Sequence, residues 1–416
     1  MGRAKQKYIE YDDLGFVTGR DLCVCEKHFT DKDISDYIKL NGNSISNCSF
    51  CDEKDGFLEG DNEYKAISWD ILMHRIIPGI KHFYDDPANG LSYMSSEGGY
   101  QGATYDTLEL LNEIICLEAD YEVTEEIANT ITGDIWTKSE FYSDNYANYL
   151  MYTWESFSKL VKYDVRYLFK EVNDNRDEFD PSYQSFKILE NIGEFITKLN
   201  LLITVPCNTN FFDQEITLYR ARQHKIDDEV IKCKDIGSTP GNFAGANRFS
   251  PEGISIFYGA EDELTAILEV INTEYPDEYL SIGEFYPTKE LNLIDLRRIK
   301  PLGIFNVEEM ELIEPSQFLS NFTIRISKKF NKDENERIEY VPTQIVTEYF
   351  RHVLPSQLKI PIHGLIYKSA QNLNKDCYAI FANENLCSDE INIHGETLLA
   401  LRDKSIRRIE VSSIET

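Results

Sequence analysis

A stretch in the middle of the chain, from Leu218 to Val270, constrains the fold more than any other segment. It contains a turn around Arg248 that is rich in glycine and proline, an apolar run that ends near Tyr258, and a helical pattern that carries Glu269. This order predicts a turn, a strand and a helix in succession. Such a unit can bring a guanidinium, a phenol and a carboxylate to one cleft, a set suited to a charged nucleotide.

The helical pattern by itself favours a solvent-exposed glutamate without a functional role. Its apolar stripe is formed by Leu264, Ile267, Leu268 and Ile271. Glu269 lies nearly opposite that stripe, so periodicity alone favours a solvated side chain. Tyr258 is equally compatible with a core position. Asn247 tolerates left-handed backbone angles, which permits a tight turn that directs Arg248 inward.

The second half of the chain alternates short β-rich runs with helical patterns. Strands are predicted at 216–219, 254–258, 282–285, 291–296, 362–367 and 378–381. Helices are predicted at 262–271, near 308–319 and at 343–353. This mixture predicts an α+β domain of about 200 residues.

Two pairs of metal-binding residue types lie near the N-terminus. Cys25 and His28 form a C-x2-H pair, and Cys48 and Cys51 form a C-x2-C pair. Each pair bends the chain so that two ligands face one ion, and zinc prefers four tetrahedral nitrogen and sulfur ligands. Cys23 competes with His28 as a ligand. We expect a closed, structural zinc site; the alternative is four unrelated buried thiols.

The chain divides by composition into three parts. Residues 1–60 form the zinc-knuckle module, residues 61–205 are mainly helical, and residues 206–416 form the α+β domain. Within the first part, Thr30-Asp-Lys-Asp33 predicts a capping box for a short helix that ends near Gly42.

Charge and hydropathy exclude several classes of protein. The formal net charge is −30, from 72 acidic and 42 basic side chains, and such a field repels nucleic-acid backbones. No apolar run is long enough to span a bilayer, and the N-terminus has no secretory signal. We therefore expect a cytoplasmic protein that binds neither nucleic acid nor membrane. In that compartment the clustered cysteines favour metal over disulfides.

The order of the motifs over roughly residues 210–410 resembles the RES-domain family. RES proteins place an arginine in a Gly-Arg-Trp/Phe-Asn-like turn, a tyrosine in the following strand and a glutamate at the end of an Ala-x-x-Glu helix. The matching residues here are Arg248, Tyr258 and Glu269. One departure is Asn247, because glycine is usual before the arginine.

Further segments extend the resemblance. The first RES strand resembles the run from Tyr219 to Arg222, and the serine that follows a late strand in the family matches Ser369. The N-terminal half is similar to the HEPN/RES-associated N-terminal domain, which begins with the same paired zinc knuckles. HEPN ribonucleases carry Arg-x4–6-His, a spacing that Arg75 and His82 satisfy, but the intervening Pro-Gly and the looseness of the pattern disfavour a ribonuclease.

The resemblance implies an ADP-ribosyltransferase-like mixed α/β fold and cleavage of NAD+ at the nicotinamide–ribose bond. Glu269 would stabilise the cationic ribose, and Arg248 would clamp the NAD diphosphate or an attacking phosphate. The other residues implied are Tyr258 at the nicotinamide–ribose end, Ser369 as a donor to phosphate, and Tyr219, Arg220 and Arg222 as substrate-binding residues.

The resemblance also implies partners and a biological role. NAD+ is the substrate, inorganic phosphate the acceptor with water as the alternative, and structural Zn2+ the bound metal. The family acts as toxins that deplete NAD+, which suggests an antitoxin or regulatory partner in a toxin–antitoxin or anti-phage system, and we expect a homo-oligomer. Two alternatives remain: an ADP-ribosyltransferase acting on a macromolecule, and a degenerate nucleotide-binding scaffold.

Overall fold

The computed structural model describes residues 11, 13–43, 48–51, 65–139, 146–167, 181–207, 216–276, 278–327, 336–372 and 374–414. The chain divides into two compact units. The first unit comprises Met1–Tyr146 and Leu302–Glu314, and the second comprises Ala147–Pro301 and Pro315–Thr416. The three-part division at residues 60 and 205 stays a prediction.

The first unit combines helices with short strands. Its strands are β1 (Cys23–Cys25), β2 (Ala66–Ser68), β3 (Tyr84–Asp85), β4 (Tyr93–Met94), β5 (Gly99–Tyr100), β6 (Tyr105–Asp106) and β7 (Ile135–Lys138). Its helices are α1 (Lys32–Asn41), α2 (Trp69–Phe83), α3 (Pro87–Gly90), α4 (Thr107–Glu109) and α5 (Tyr121–Thr130), with a π-helical turn at Leu110–Ile114. Strand β1 pairs with β2, so the two segments that flank α1 are tied together.

The capping box predicted for α1 is wrong by one residue. Asp31 is the N-cap, and its carboxylate accepts a hydrogen bond from the backbone N–H of Ile34 at 3.0 Å. The side chain of Thr30 instead points to the carbonyl of Glu118. Ile34 and Ile38 are fully buried, as the helical spacing predicts, and the helix ends at the Gly42 C-cap.

The second unit contains the longer elements. Its helices are α6 (Tyr146–Tyr163), α7 (Pro181–Lys198), α8 (Cys233–Ile236), α9 (Glu263–Val270), α10 (Met310–Ser327), α11 (Glu336–Glu339), α12 (Val341–Glu348) and α13 (Leu354–Leu358). Its strands are β8 (Leu202–Val205), β9 (Leu218–His224), β10 (Phe257–Ala260), β11 (Tyr279–Pro287), β12 (Leu291–Asp295), β13 (Gly364–Lys368), β14 (Asp376–Ile380), β15 (Cys387–Asp389), β16 (Leu399–Leu401) and β17 (Arg407–Glu410).

These strands form one mixed sheet in the order β15-β16-β11-β9-β10-β14-β13-β12-β8, with β17 paired to β11. The pairs β12–β13 and β15–β16 are parallel and the other pairs are antiparallel. Alternate side chains of each strand point to opposite faces. On β13, for example, Leu365 and Tyr367 join the core that includes Phe157 and Phe322, whereas Ile366 joins the core on the other face.

The predicted α+β fold with a large mixed sheet is confirmed, although element boundaries shift by several residues. Strand β10 begins at Phe257 rather than at 254, and α10 extends to Ser327. Strand β8 lies in the segment that was predicted to be mainly helical, and β15, β16 and β17 were not predicted. Each of the last three is only three or four residues long, too short for a periodic signal. None of the described helices combines the length and apolar character that a membrane span requires.

Candidate functional site

Four predicted metal ligands come together in the first unit. The ligand atoms of Cys25, His28, Cys48 and Cys51 all lie within 4.8 Å of one another. The Sγ atoms of Cys25 and Cys51 are 3.7 Å apart, and His28 Nε2 is 3.4 Å from the Cys51 sulfur. A tetrahedral zinc ion would give edges of about 3.8 Å between sulfurs and about 3.6 Å between sulfur and nitrogen. The donor set and its spacing therefore fit zinc.

Hydrogen bonds within and around this cluster orient its ligand atoms and favour a thiolate. Asp120 accepts a hydrogen bond from His28 Nδ1 at 2.7 Å, which leaves Nε2 to face the three thiols. The hydrogen bond between Cys25 and Cys48 lowers the pKa of Cys48 to about 4 and raises that of Cys25. Cys23 is not a member of the group of four, so His28 rather than Cys23 completes the candidate ligand set.

The second unit contains a cavity of about 300 Å³ at which the main predicted site residues meet. Arg248, Tyr258 and Glu269 all line it, as do Tyr219 and Arg220. These residues come from the turn before β10, from β10 itself, from α9 and from β9. The turn, strand and helix thus do converge on one cleft.

A tight turn presents Arg248 to the cavity. The backbones of Asn247 and Ser250 exchange hydrogen bonds of 2.8 and 3.3 Å, which places Arg248 and Phe249 in the middle of the turn. The side-chain amide of Gln344, which lies on α12, donates to the carbonyls of Asn247 and Ser250 and clamps the turn from outside. Asn247 has a negative φ, so the turn does not use the left-handed backbone that asparagine tolerates, and glycine is not required there.

The Arg248 guanidinium is held mainly by aromatic rings. Its Cζ lies 6.0 Å from the Phe249 ring and 5.8 Å from the Tyr367 ring. Its Nε is buried without a hydrogen-bond partner, and no described carboxylate pairs with it. A cation with unused donors inside a cavity is suited to an anionic ligand.

Tyr258 lies in the middle of the sheet as a neutral phenol. Its hydroxyl is 3.0 Å from the hydroxyl of Ser250, and burial raises its pKa to about 12. The group therefore stays protonated at neutral pH and can donate or accept a hydrogen bond, but it does not serve as a base.

Helix α9 is rotated relative to its predicted orientation. Leu264, expected in the apolar stripe, is 54% exposed, whereas Thr265 is fully buried and Ala266 nearly so. Ala266 and Glu269 are one turn apart on the face that borders the cavity. The solvated glutamate that periodicity favours is thus wrong, because the inward face of this helix includes a polar cavity as well as core.

Ser369 orients Glu269 and does not itself line the cavity. Its Oγ donates to Glu269 Oε1 at 2.5 Å and accepts hydrogen bonds from the backbone N–H groups of Gln371 and Asn372. The single hydroxyl proton is therefore engaged, and the expected donation to phosphate does not fit this arrangement. The buried thiol of Cys377 approaches the same Oε1 at 3.8 Å. Glu269 Oε2 makes no hydrogen bond to any described residue.

The two arginines of β9 behave differently. Arg220 donates to the carbonyls of Ile236 and Tyr258 at 2.7 and 2.6 Å, and burial lowers its pKa to about 10, so it stays cationic and braces β10. Arg222 is exposed, does not line the cavity and donates to the carbonyl of Asp235. We do not retain Arg222 as a substrate-binding residue.

The ribonuclease pattern is not assembled. Arg75 is buried, pairs with Glu308 and stacks over the ring of Tyr37 at 4.7 Å. His82 lies near the end of α2 and is exposed. These contacts give Arg75 a structural role.

Several cavity residues carried no signal in the sequence. Ser255, Tyr367 and Cys377 line the cavity, and Gln344 holds the turn beside it; all four belong to segments whose apolar neighbours predict core. The one signal for Gln344 in the sequence is that it is a polar residue within an apolar run. This signal does not identify its partner Asn247, which is nearly one hundred residues away.

Comparison with known families gives two matches. Residues 217–400 match the RES domain, and residues 41–175 match the HEPN/RES N-terminal domain 1. No curated protein and no solved structure matches the chain. The matched RES range contains every residue of the cavity, so the site lies wholly within the part of the chain that matches the RES domain. The chain carries this domain after a HEPN/RES N-terminal domain 1, the architecture that the sequence predicted.

Proposed function

We propose that this protein degrades NAD+ by cleaving the nicotinamide–ribose bond, with inorganic phosphate as acceptor and water as the alternative. The observation that carries the proposal is the convergence of Arg248, Tyr258 and Glu269 on one cavity of a RES domain. RES domains are associated with NAD-related enzymes of toxin-like character. A cationic donor and a carboxylate in one cleft match a substrate with a diphosphate and a cationic nicotinamide riboside.

In this reaction the bond between the ribose C1 and the nicotinamide nitrogen breaks, and its electron pair neutralises the pyridinium ring. A phosphate oxygen forms the new bond to C1, which gives nicotinamide and a 1-phosphorylated ADP-ribose. The pyridinium leaves without a proton, and a phosphate dianion attacks without a general base. The transition state resembles an oxocarbenium ion, so negative charge near the ribose lowers the barrier.

Glu269 is assigned the stabilisation of that cation. Its Oε1 is held by Ser369, and Oε2 remains available to the ribose. Arg248 would bind the phosphate oxygens, because its Nε lacks a partner among the described residues. The Tyr258 phenol, which is hydrogen-bonded to Ser250, would form a hydrogen bond at the nicotinamide–ribose end of the substrate. Tyr219 and Arg220 form the wall behind them.

The biological consequence would be depletion of NAD+ in a toxin–antitoxin or anti-phage system. A chain with unrestrained activity of this kind would harm its own cell, so we also propose restraint by an antitoxin, by a regulatory protein or by the N-terminal half. A zinc ion at the cysteine–histidine cluster is assigned a structural role, because all four coordination positions would be filled by protein.

Incubation of the purified chain with labelled NAD+, with and without phosphate, tests the activity. Free nicotinamide with a phosphate-dependent second product supports phosphorolysis, label on macromolecules supports ADP-ribosyl transfer, and intact NAD+ would contradict the proposal.

Substitutions test the assigned residues. Glu269→Gln and Arg248→Ala should each lower kcat/KM by at least 100-fold, since each removes a charge next to the reacting centre. The matched controls are Glu263→Gln on the same helix and Arg325→Ala, whose ion pair with Glu155 is exposed. Wild-type turnover in either site variant would refute the assignment.

A further inference from the structure

Two residues that line the cavity each have a buried polar atom without a hydrogen-bond partner in the described part of the chain. These atoms are Nε of Arg248 and Oγ of Ser255. Ser255 is 8% exposed and lies on the extended segment between Gly253 and β10. Ser250 also lines the cavity, but its hydroxyl is paired with the Tyr258 phenol.

An unpaired hydroxyl in the interior weakens the fold, because it has lost its hydrogen bonds to water without replacement. An alanine at this position would avoid that cost. Unsatisfied buried groups in native proteins therefore call for a specific explanation, and a bound ligand is one. Here both groups belong to residues that line one cavity, within the residues that match the RES domain.

The chemistry of the two atoms restricts the ligand. A guanidinium nitrogen donates and never accepts, and the serine hydroxyl can rotate to donate as well. A ligand that satisfies both must supply several lone pairs and negative charge. A phosphoryl group offers three oxygens to such donors, and hydrogen bonds to charged oxygens are stronger than neutral ones.

We propose that Ser255 Oγ and Arg248 Nε form a subsite for a phosphoryl group, which makes Ser255 a further substrate-binding residue. The identity of the phosphate carrier rests on the proposed function: either the free phosphate acceptor or the diphosphate of NAD+. Both carriers present the same oxygens, so kinetics must separate them.

Ser255→Ala is the test, because it removes the hydroxyl and leaves the backbone and Arg248 in place. Steady-state rates are measured with NAD+ varied at saturating phosphate, and with phosphate varied at saturating NAD+. We expect one of the two KM values to rise about tenfold, the loss typical of one hydrogen bond to a charged group. A higher KM for phosphate would show that the subsite holds the free phosphate acceptor. A higher KM for NAD+ would show that it holds the diphosphate of NAD+. The melting temperature should equal or exceed that of the wild type, because an unsatisfied group is gone.

Ser388→Ala is the matched control. Ser388 is also a buried serine, on β15, but its hydroxyl lies 3.2 Å from that of Thr397 and it does not line the cavity. This variant should lower the melting temperature and leave both KM values unchanged. Ser255→Ala with both KM values within twofold of the wild type would overturn the subsite.

A binding measurement separates this inference from the proposed activity. Inorganic phosphate is titrated onto the full-length wild type and onto Ser255→Ala without NAD+, and its 31P resonance is followed. Weaker binding by the variant supports the subsite even if the wild type leaves NAD+ intact. Equal phosphate binding by the two proteins, together with intact NAD+, would overturn the subsite and the proposed function together.

Discussion

At the scale of single residues, hydrogen bonds decide which role each polar group can take. Ser369 was expected to bind phosphate, yet its proton is directed to Glu269 Oε1 and its lone pairs accept two backbone N–H groups. Arg248, in contrast, has an unused donor beside the cavity. We therefore expect Ser369 to position the carboxylate of Glu269, and we propose Arg248 as the group that binds an anion.

This distinction predicts a kinetic split for Ser369→Ala. Loss of a hydrogen bond to a charged group should reduce kcat about tenfold, because Glu269 is less well oriented toward the ribose, while the KM for phosphate stays unchanged. Steady-state kinetics with phosphate varied checks this prediction. An unchanged kcat with a raised KM for phosphate would return Ser369 to direct phosphate binding.

At the scale of elements, an ion-pair network joins the ends of three neighbouring strands. Arg297 donates to both oxygens of Asp295 at 2.7 Å and also pairs with Asp376, and Lys368 donates to Asp376 at 2.8 Å. Asp295, Lys368 and Asp376 lie at the ends of β12, β13 and β14. Both aspartates are buried, and removing one partner of a buried ion pair leaves the other charge uncompensated.

We predict that Asp376→Asn destabilises the second unit by about 3 kcal/mol, because it leaves part of the Lys368 and Arg297 charge without a partner. Burial alone would raise the pKa of Asp376, but the hydrogen bonds from Lys368 and Arg297 outweigh it, and the pKa lies below 3.8. The stabilisation that the charged Asp376 gives the folded state is therefore fully present above its ordinary pKa of 3.8. It is lost as the pH falls through the lower pKa of Asp376 in the folded state.

Urea unfolding of the wild type and the variant between pH 3 and pH 7 measures this effect. The difference between the two proteins should shrink toward the acid end. Glu155→Gln, which breaks the exposed pair with Arg325, serves as the control and should change stability by less than about 0.5 kcal/mol. An equally large loss in that control, or a difference that is constant with pH, would contradict the role of the network.

At the scale of the whole molecule, the N-terminal cluster could link several elements of the first unit through one metal ion. The four ligands lie on both sides of α1 and near its sheet, so one ion would tie together β1, the following 3-10 turn and the Cys48–Cys51 knuckle. Metal binding of this kind contributes directly to folding stability.

We predict one zinc ion per chain and a lower melting temperature after chelation. Cys25→Ser should lose the metal, whereas Cys23→Ser and Cys116→Ser should retain it, because neither residue belongs to the group of four. Asp120→Ala should weaken affinity by about 10- to 100-fold through loss of the hydrogen bond to His28. Metal analysis of the purified variants measures the zinc content of each protein. Full zinc occupancy in Cys25→Ser would rule out this site.

The features that could be predicted from the sequence are those with a local signal. The members of the cysteine–histidine cluster follow from spacing, and the strand and helix around Tyr258 and Glu269 follow from short patterns. Contacts between residues distant in sequence could not be predicted. Gln344 reaches across to Asn247, and no pattern in either segment indicates that contact.

The sequence alone determined the order of motifs, the α+β class, and the residue types available for a cation, an aromatic ring and a carboxylate, because spacing and side-chain chemistry are local properties. Tertiary structure alone decided how α9 is rotated, which arginine reaches the cavity and where the proton of Ser369 goes. Those outcomes depend on which surfaces pack against each element. That packing turned the face of α9 that carries Glu269 from an apparently solvated surface into the wall of a cavity.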